Sequence, residues 1–234
     1  ATVTFFNTVT NDGTVTSNLS TVSFLGGFVN NGTLITDPNV INFTDFTNND
    51  PASVIAFADD EFIVSNDVLG DTSNNLVWDT DEAILRYVAG VDSAHTMQLY
   101  GIDLGASVAG LVNNFAWGTV DLTSGQTVSL EDIKADGESG ALYLDTILLA
   151  DFAADIIDGV LDAIIGNGLN VYYNALAAGN GFLGGLNYDL QGGGQLIAFL
   201  GETATIAEPS SIALFLAGLL GLFGHGRAGR RRAG

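Results

Sequence analysis

The sequence predicts an all-β protein whose body is a parallel β-solenoid, in which the strands of successive coils stack on one another. The first third of the chain alternates polar and apolar residues with a period of two, as in Thr2–Phe5, which is typical of strands. Turn-like asparagine clusters interrupt this alternation at steps of 19 and about 18 residues, and of 17 residues between the Asn-Asp pairs that begin at Asn49 and Asn66. A repeat of roughly 18 to 20 residues fits solenoid coils. A content of 30 glycines argues against an ordinary helical protein.

The asparagine clusters begin at Asn11, Asn30, Asn48 and Asn66, and each precedes a short apolar segment. In stacked parallel strands, asparagines at equivalent turns can hydrogen bond to one another along the stack. The alternative is an antiparallel β-sandwich whose hairpins share Asn-Gly turns. Because the spacings of strands, turns and small residues repeat together, we favour solenoid coils for residues 1–75.

Residues 76–144 continue as strands separated by glycine and Asp-Gly turns. One of these turns, residues 136–140, holds Asp136 and Glu138, two carboxylates in a glycine-rich loop that are weak candidates for calcium ligands. The loop lacks the alternating oxygen ligands of an EF-hand, so a solvated turn is the favoured interpretation. We predict no other metal site and no cofactor.

Residues 147–165 are expected to form an amphipathic helix. At 100° per residue, four aspartates of this segment fall within one narrow polar stripe on an otherwise apolar surface: Asp151, Asp155, Asp158 and Asp162. The Gly-Asn-Gly sequence at 166–168 would end the helix. We expect the helix to cap an open end or face of the sheet, or to contact a second subunit. Strands at 169–200 then close the body, which spans residues 1–206.

The charge of the chain is strongly acidic and unevenly distributed. There are 27 acidic and 6 basic residues, a formal net charge of -21, and only Arg86 and Lys134 are basic before the last eight residues. A protein with so few cations cannot displace the counterions of a nucleic acid, so that class of partner is excluded. The carboxylates must be solvated or neutralised by cations. The lack of cysteine excludes a disulfide scaffold and a thiol nucleophile.

The last segment, residues 207–234, has a different composition from the body. Pro209 opens it, residues 212–224 are uncharged and largely apolar, and four arginines follow. At 1.5 Å per residue, a helix of that apolar stretch spans about 20 Å, which is short of the roughly 30 Å hydrocarbon core of a bilayer. The arginines would remain on the cytoplasmic side. We therefore expect a short apolar helix that associates with the membrane transiently.

This order of parts resembles the PEP-CTERM sorting signal of exported bacterial proteins, which has a Pro-Glu-Pro-like motif, a short apolar helix and an arginine-rich end. The matching residues are Glu208, Pro209, Ser210, Ser211, Arg230, Arg231 and Arg232. Ala207 stands where the first proline of that motif would be. The resemblance implies a secreted or cell-surface protein whose tail is recognised and processed by an exosortase-type membrane enzyme.

A second resemblance concerns the end of the body. The succession of residues 113–118, 141–143, 166–173, 183–185 and 192–194 looks like the closing region of exported β-helix proteins that often carry such tails. It implies a right-handed β-helix with a role at the cell surface or in the extracellular matrix. It identifies no catalytic residues.

The residues offer little support for an enzyme. His95 is the only histidine of the body and lies in no nucleophile-elbow motif, so we interpret it as a surface or strand-end residue. We expect a non-enzymatic structural protein that assembles into homo-oligomers or filaments through strand edges, with extracellular polysaccharide as a further candidate partner. The alternatives are an enzyme acting on extracellular glycans with paired carboxyl groups, and a calcium-dependent adhesin.

Overall fold

A computed structural model describes residues 1–71, 75–90, 94–133 and 139–201. The chain divides into two units, Ala1–Gly201 and Glu202–Gly234, and every described residue belongs to the first. That unit is an all-β structure in which twenty strands are linked in a single sheet. The prediction of the all-β class is therefore confirmed.

The strands are short in most places, with three longer ones. Their bounds are β1 Thr2–Phe5, β2 Val9–Asn11, β3 Thr14–Phe24, β4 Phe28–Asn30, β5 Thr33–Phe43, β6 Phe46–Asn48, β7 Ser53–Ile55, β8 Glu61–Val64, β9 Val68–Gly70, β10 Trp78–Asp79, β11 Ile84–Tyr87, β12 Ala94–Leu99, β13 Ala116–Leu122, β14 Thr127–Asp132, β15 Ala141–Leu149, β16 Ile156–Ile157, β17 Val160–Ile165, β18 Asn170–Asn174, β19 Tyr188–Gln191 and β20 Gln195–Phe199. One short α-helix, α1, covers Phe152–Asp155, and three 3-10 helices cover Asn75–Val77, Val108–Leu111 and Ala178–Leu183.

The strands pair in three parallel rows, which we call ladders. The first ladder joins β1, the second halves of β3 and β5, then β8, β11 and the later parts of β13 and β15. The second joins β2, β4, β6, β9, β12, β14, β17 and β19. The third joins the first halves of β3 and β5 to β7 and β10, and after a break it joins the first parts of β13 and β15 to β18 and β20. Up to β18 the chain visits the ladders in the order first, second, third, and we call each such circuit a layer.

Parallel pairing rules out the antiparallel sandwich that was the alternative. Among the described residues, only two strand pairs are antiparallel, β16 with β17 and β19 with β20. Each other pair joins a strand to one in a neighbouring layer, which is how parallel strands must connect, because a tight hairpin can link antiparallel strands only.

Apolar side chains from all three ladders fill the interior. Phe24 stacks between Phe5 and Phe43, with ring centroids 5.2 and 5.6 Å apart, so equivalent side chains of successive layers lie on top of one another. Further along, Trp78 contacts Phe115 and Trp117 at 4.5 and 6.0 Å. Burial of such rings contributes most of the stabilisation of the layers.

The helix expected at 147–165 is wrong. The strand β15 continues to Leu149, α1 has only four residues, and β16 and β17 form an antiparallel hairpin. Asp158 and Gly159 both have positive φ, 55° and 86°, and they form the hairpin turn that a continuous helix would not allow. The regular aspartate spacing has separate local causes, since Asp151 caps α1 by accepting hydrogen bonds from the amides of Ala153 and Ala154.

Candidate functional site

A row of buried asparagine side chains connects the first three layers. Asn11 Nδ2 donates to Asn30 Oδ1 at 2.8 Å, and Asn30 Nδ2 donates to Asn48 Oδ1 at 2.7 Å, with sequence separations of 19 and 18. Each amide also bonds to backbone, as in the 2.9 Å bond from Asn30 to the Ser53 carbonyl. The predicted stacking of asparagines is therefore confirmed for three of the four clusters.

The fourth cluster does not extend this row. The residue in register with Asn48 is Gly70, not Asn66. Asn48 Nδ2 instead donates to the Ala52 carbonyl at 3.1 Å, so the row closes on its own turn. The layers that follow Asn48 along the chain are joined by other contacts.

The first layer presents an unpaired strand edge. Among the described residues, β1 pairs on one side only, with β3. The Ala1 carbonyl accepts from the Thr21 amide and the Phe5 carbonyl accepts from the Leu25 amide. The backbone N–H and C=O groups of the odd-numbered residues of β1 therefore face β3. Because backbone groups alternate along a strand, the N–H and C=O groups of Thr2 and Thr4 point to the open side.

An apolar cavity of about 390 Å³ lies behind this edge. It is lined in part by Val3, Phe5, Val9, Val15, Val22 and Phe24. Two large apolar side chains that neighbour its lining residues in sequence are exposed to solvent, Phe6 by 77% and Leu19 by 73%. Leu19 has a φ of 49°, a conformation that is rare for a leucine. We call this surface, formed by β1, Phe6 and Leu19, the open end.

At the opposite end of the described body, side chains bond to backbone groups of the last strands. Asn180, in the last 3-10 helix, accepts from the Ile147 amide at 3.0 Å and so takes the place of a further strand on β15. Asn187 accepts from the Ala198 amide at 2.9 Å. The strands β19 and β20 turn back on each other as a hairpin. The backbone groups that would extend the ladders there are thus largely occupied.

The first 36 residues carry few charged side chains. Asp12 is the only charged side chain before Asp37, although the whole chain carries 27 acidic residues. Few like charges of this segment therefore oppose the approach of a second copy to the open end.

The only described basic side chain forms an ion-pair cluster on the outer face of the first ladder. Arg86 contacts Glu61 at 2.5 Å and Asp121 at 2.8 Å, and the Asp121 side chain is only 3% exposed. Burial alone would raise the pKa of Asp121. Hydrogen bonds from Thr123 and from Arg86 outweigh burial and hold the pKa below its ordinary value of 3.8. Sequence analysis identified Arg86 as basic but did not identify its partners, which lie 25 and 35 positions away.

Three carboxylates line a second cavity, of about 370 Å³. Asp81, Glu82 and Asp145 surround it beside Gly118. Burial raises the pKa of Asp81, and the neighbouring charge of Asp79 raises it further. A carboxyl group whose pKa is raised, beside further carboxyl groups, is an arrangement used in acid-base chemistry.

His95 lies at the second position of β12 and is buried. The strand-end interpretation is confirmed, while a surface position is wrong. Its Nδ1 lies 2.7 Å from the Asn66 carbonyl oxygen, and its Nε2 lies 3.2 Å from Oε1 of Gln126. The ring joins two neighbouring layers, which is a structural role.

Several predicted site residues lie outside the described residues. They are the calcium candidates Asp136 and Glu138 and the sorting-signal residues Glu208, Pro209, Ser210, Ser211, Arg230, Arg231 and Arg232. Within the described ranges, no group of three or more histidine or acidic side chains is arranged to hold a metal ion. No described helix has both the length and the apolar character needed to cross a membrane.

Comparison with known proteins identifies no relative: no family model, curated protein or solved structure matches this chain.

Proposed function

We propose that this chain is an exported structural protein of the bacterial cell surface or extracellular matrix, and that it self-associates through the open end. The observation that carries the proposal is the unpaired edge of β1 beside an uncovered apolar cavity. Unpaired strand edges bind further strands, and exposed apolar surfaces mark sites of association between protein molecules. The pairing of β1 with β3 and the stacking of Phe5 on Phe24 would keep this edge rigid, so that little ordering entropy is lost on binding.

We further infer that the three ladders are the faces of a right-handed parallel β-solenoid. The fixed order in which the chain visits them supports this inference, as do the side chains stacked between layers. Crossover connections between parallel strands are right-handed in nearly all proteins.

The tail at 207–234 would direct the protein to this location. Its likeness to a PEP-CTERM signal supports secretion, transient association with the inner membrane and processing by an exosortase-type enzyme. The acidic surface would then interact with divalent cations or with extracellular polysaccharide. Mass spectrometry of the protein from its native cells tests this: we expect a C-terminus that lacks Arg230, Arg231 and Arg232, and an intact arginine cluster would contradict the proposal.

Sedimentation velocity of the full-length chain tests self-association. We expect the weight-average sedimentation coefficient to rise with protein concentration, and to rise further in salt, because salt screens repulsion between acidic copies. Runs with calcium and with chelator separate this proposal from a calcium-dependent adhesin, which would associate only with calcium. A monomer at every concentration and ionic strength would contradict the proposal.

A glycan-active enzyme is a second candidate, and one observation favours it. The raised pKa of Asp81 beside Asp79, at a cavity with Glu82 and Asp145, is suited to a general acid. The wild type should then release reducing sugar from bacterial polysaccharides. Loss of this activity in Asp81→Asn but not in Asn31→Ala, which changes an exposed turn residue, would support the enzyme. Equal activity in the wild type and Asp81→Asn would exclude a catalytic role for Asp81.

A further inference from the structure

We propose that two copies of this chain form a closed two-fold dimer in which their β1 strands pair antiparallel, with Val3 at the symmetry axis. This inference rests on the proposed self-association and specifies its geometry. The expected assembly is a dimer rather than an open filament, and the far ends of the two copies face outward.

The two ends of the described body differ in the backbone groups that they leave open for pairing. A filament needs the open end of one copy to bind the far end of the next, but among the described residues the far end shows no equivalent edge. There Asn180 and Asn187 occupy the amides of Ile147 and Ala198, and the β19–β20 hairpin turns back. The open end itself is the complementary surface, and a surface that binds its own copy produces a closed two-fold contact.

The open backbone groups of β1 can pair with those of a second copy. The backbone N–H and C=O groups of Thr2 and Thr4 point outward, while those of Val3 face β3. In an antiparallel pair centred on Val3, Thr2 lies opposite Thr4 of the partner subunit, and Thr4 lies opposite Thr2 of the partner subunit. Each such pair exchanges two hydrogen bonds, so all four outward donors and acceptors of the strand are used.

The open end also exposes apolar side chains that a second copy would cover. Val3 and Phe5 are 44% and 40% exposed, and they line the cavity at the open end. In the dimer, the two cavities face each other and close, and Phe6 and Leu19 lose their contact with water. Asp12 is the only charged side chain of residues 1–36, so few like charges of this segment oppose the approach of a second copy.

A proline substitution tests the strand pairing. Thr4→Pro removes an amide that points away from β3, and proline is tolerated on the open side of an edge strand. We expect Thr4→Pro to weaken the dimer at least tenfold in sedimentation equilibrium of the full-length chain, while Thr4→Ala, which retains the amide, changes it less than threefold. Phe6→Ser, at an exposed residue outside any strand, provides an independent variant and should also weaken the dimer at least tenfold.

A cysteine substitution tests the symmetry, because the natural chain has no cysteine. Residues opposite each other in a non-hydrogen-bonded antiparallel pair have Cα atoms about 4.5 Å apart, which is within the range of a disulfide. We expect Val3→Cys to form a covalent dimer on mild oxidation. Thr10→Cys, exposed on the same end but away from the axis, should remain largely monomeric on a non-reducing gel.

The outcomes separate the two proposals. A dimer that Thr4→Pro and Phe6→Ser weaken and that Val3→Cys cross-links supports the inference. Open-ended polymers, or a dimer indifferent to these variants, overturn the two-fold contact but leave self-association standing. A wild-type monomer under all conditions overturns both. If Thr4→Pro does not fold, as judged by circular dichroism, then Phe6→Ser and Val3→Cys decide the question in the same way.

Discussion

The first layers, residues 1–70, and the later layers, residues 75–201, are held together by different means. In the first region, residues in register are 18 to 22 positions apart, and identical asparagines bond directly to one another. In the later region the separations are longer, for example 35 between Arg86 and Asp121 and 29 between Asn174 and Asp145. There each junction uses its own pair of side chains.

The difference shows the consequence of a short and nearly constant layer length. When every layer has the same length, the same side chain returns to the same place, and a single residue type satisfies the buried polar groups of the whole stack. When a layer contains a longer excursion, such as the loop that carries Asn114, the register of side chains changes. Such a junction then needs a dedicated partner, as in the 2.7 Å bond that Asn174 Nδ2 donates to Asp145 Oδ1 between β18 and β15.

The largest effect is expected from breaking the asparagine row at its centre. Asn30→Leu removes the partner of Asn11 and of Asn48 inside the protein, where unsatisfied amides cost roughly 1–3 kcal/mol each. We expect the free energy of unfolding in urea to fall by about 4 kcal/mol. Asn31→Ala, in the exposed row beside it, is the matched control and should cost less than about 1 kcal/mol. Equal losses would show that the buried row has no special role.

The close spacing of layers is tested at a pair of glycines. A Cβ at Gly32 would overlap the carbonyl oxygen of Gly13 in the layer below, whereas a Cβ at Gly13 would meet nothing within 4 Å. We expect Gly32→Ala to reduce the free energy of unfolding by about 3 kcal/mol, and Gly13→Ala to change it by less than about 0.5 kcal/mol. A tolerated Gly32→Ala would mean that the turns can separate without loss.

The charged junction of the later layers is tested at Arg86. Arg86→Met leaves Asp121 buried without its cation, and we expect a loss of about 2 kcal/mol at pH 7, less than for a fully buried pair because Arg86 is partly exposed. Since the folded-state pKa of Asp121 is lowered, its stabilisation is present above its ordinary pKa of 3.8 and is lost as the pH falls through the folded-state value.

Urea unfolding of Arg86→Met and of the wild type should therefore differ at pH 7 and converge toward pH 2. The double variant Arg86→Met with Asp121→Asn is the control, because it removes the buried charge as well and should recover part of the loss. A difference between Arg86→Met and wild type that does not depend on pH would contradict this account.

The smallest effect is expected at the carboxylate cavity. The pKa of Asp81 is raised in the folded state by burial and then by Asp79, so its ionisation opposes folding above its ordinary pKa of 3.8. Asp81→Asn should therefore stabilise the protein at pH 7 by less than about 1 kcal/mol and should have almost no effect at pH 3. Thermal unfolding at the two pH values measures this, and destabilisation at pH 7 would indicate that the carboxylate is needed for structure.

Much of the first region could be predicted from the sequence, because its information is local and repeated. The alternation in Thr14–Val15–Thr16 and the clusters at Asn11, Asn30 and Asn48 directly indicate strands and stacked turns. The fourth cluster was assigned wrongly, since Asn66 has the same composition but another register. Composition marks a turn, but it does not determine which residue of the turn faces inward.

The later region could be predicted less well, because there the chemistry depends on residues that are distant in sequence. The four aspartates of 147–165 fit a helical period, yet β15 and β17 are strands held by their neighbours in β13, β14, β18 and β19. Hydrogen bonding to a neighbouring strand on each side outweighs the helical periodicity of the four aspartates. The partners of Arg86 were not predictable for the same reason.

The sequence by itself determined the all-β class, the short repeat of the first layers, their buried asparagines and the acidic charge, because each depends on residues close together or on composition alone. Only the tertiary structure decided that the two ends differ, with one strand edge open at Thr2 and Thr4 and the other end occupied by Asn180 and Asn187. The physical reason is that an edge is open or closed according to which distant backbone or side-chain group reaches its amides, and no local pattern records that.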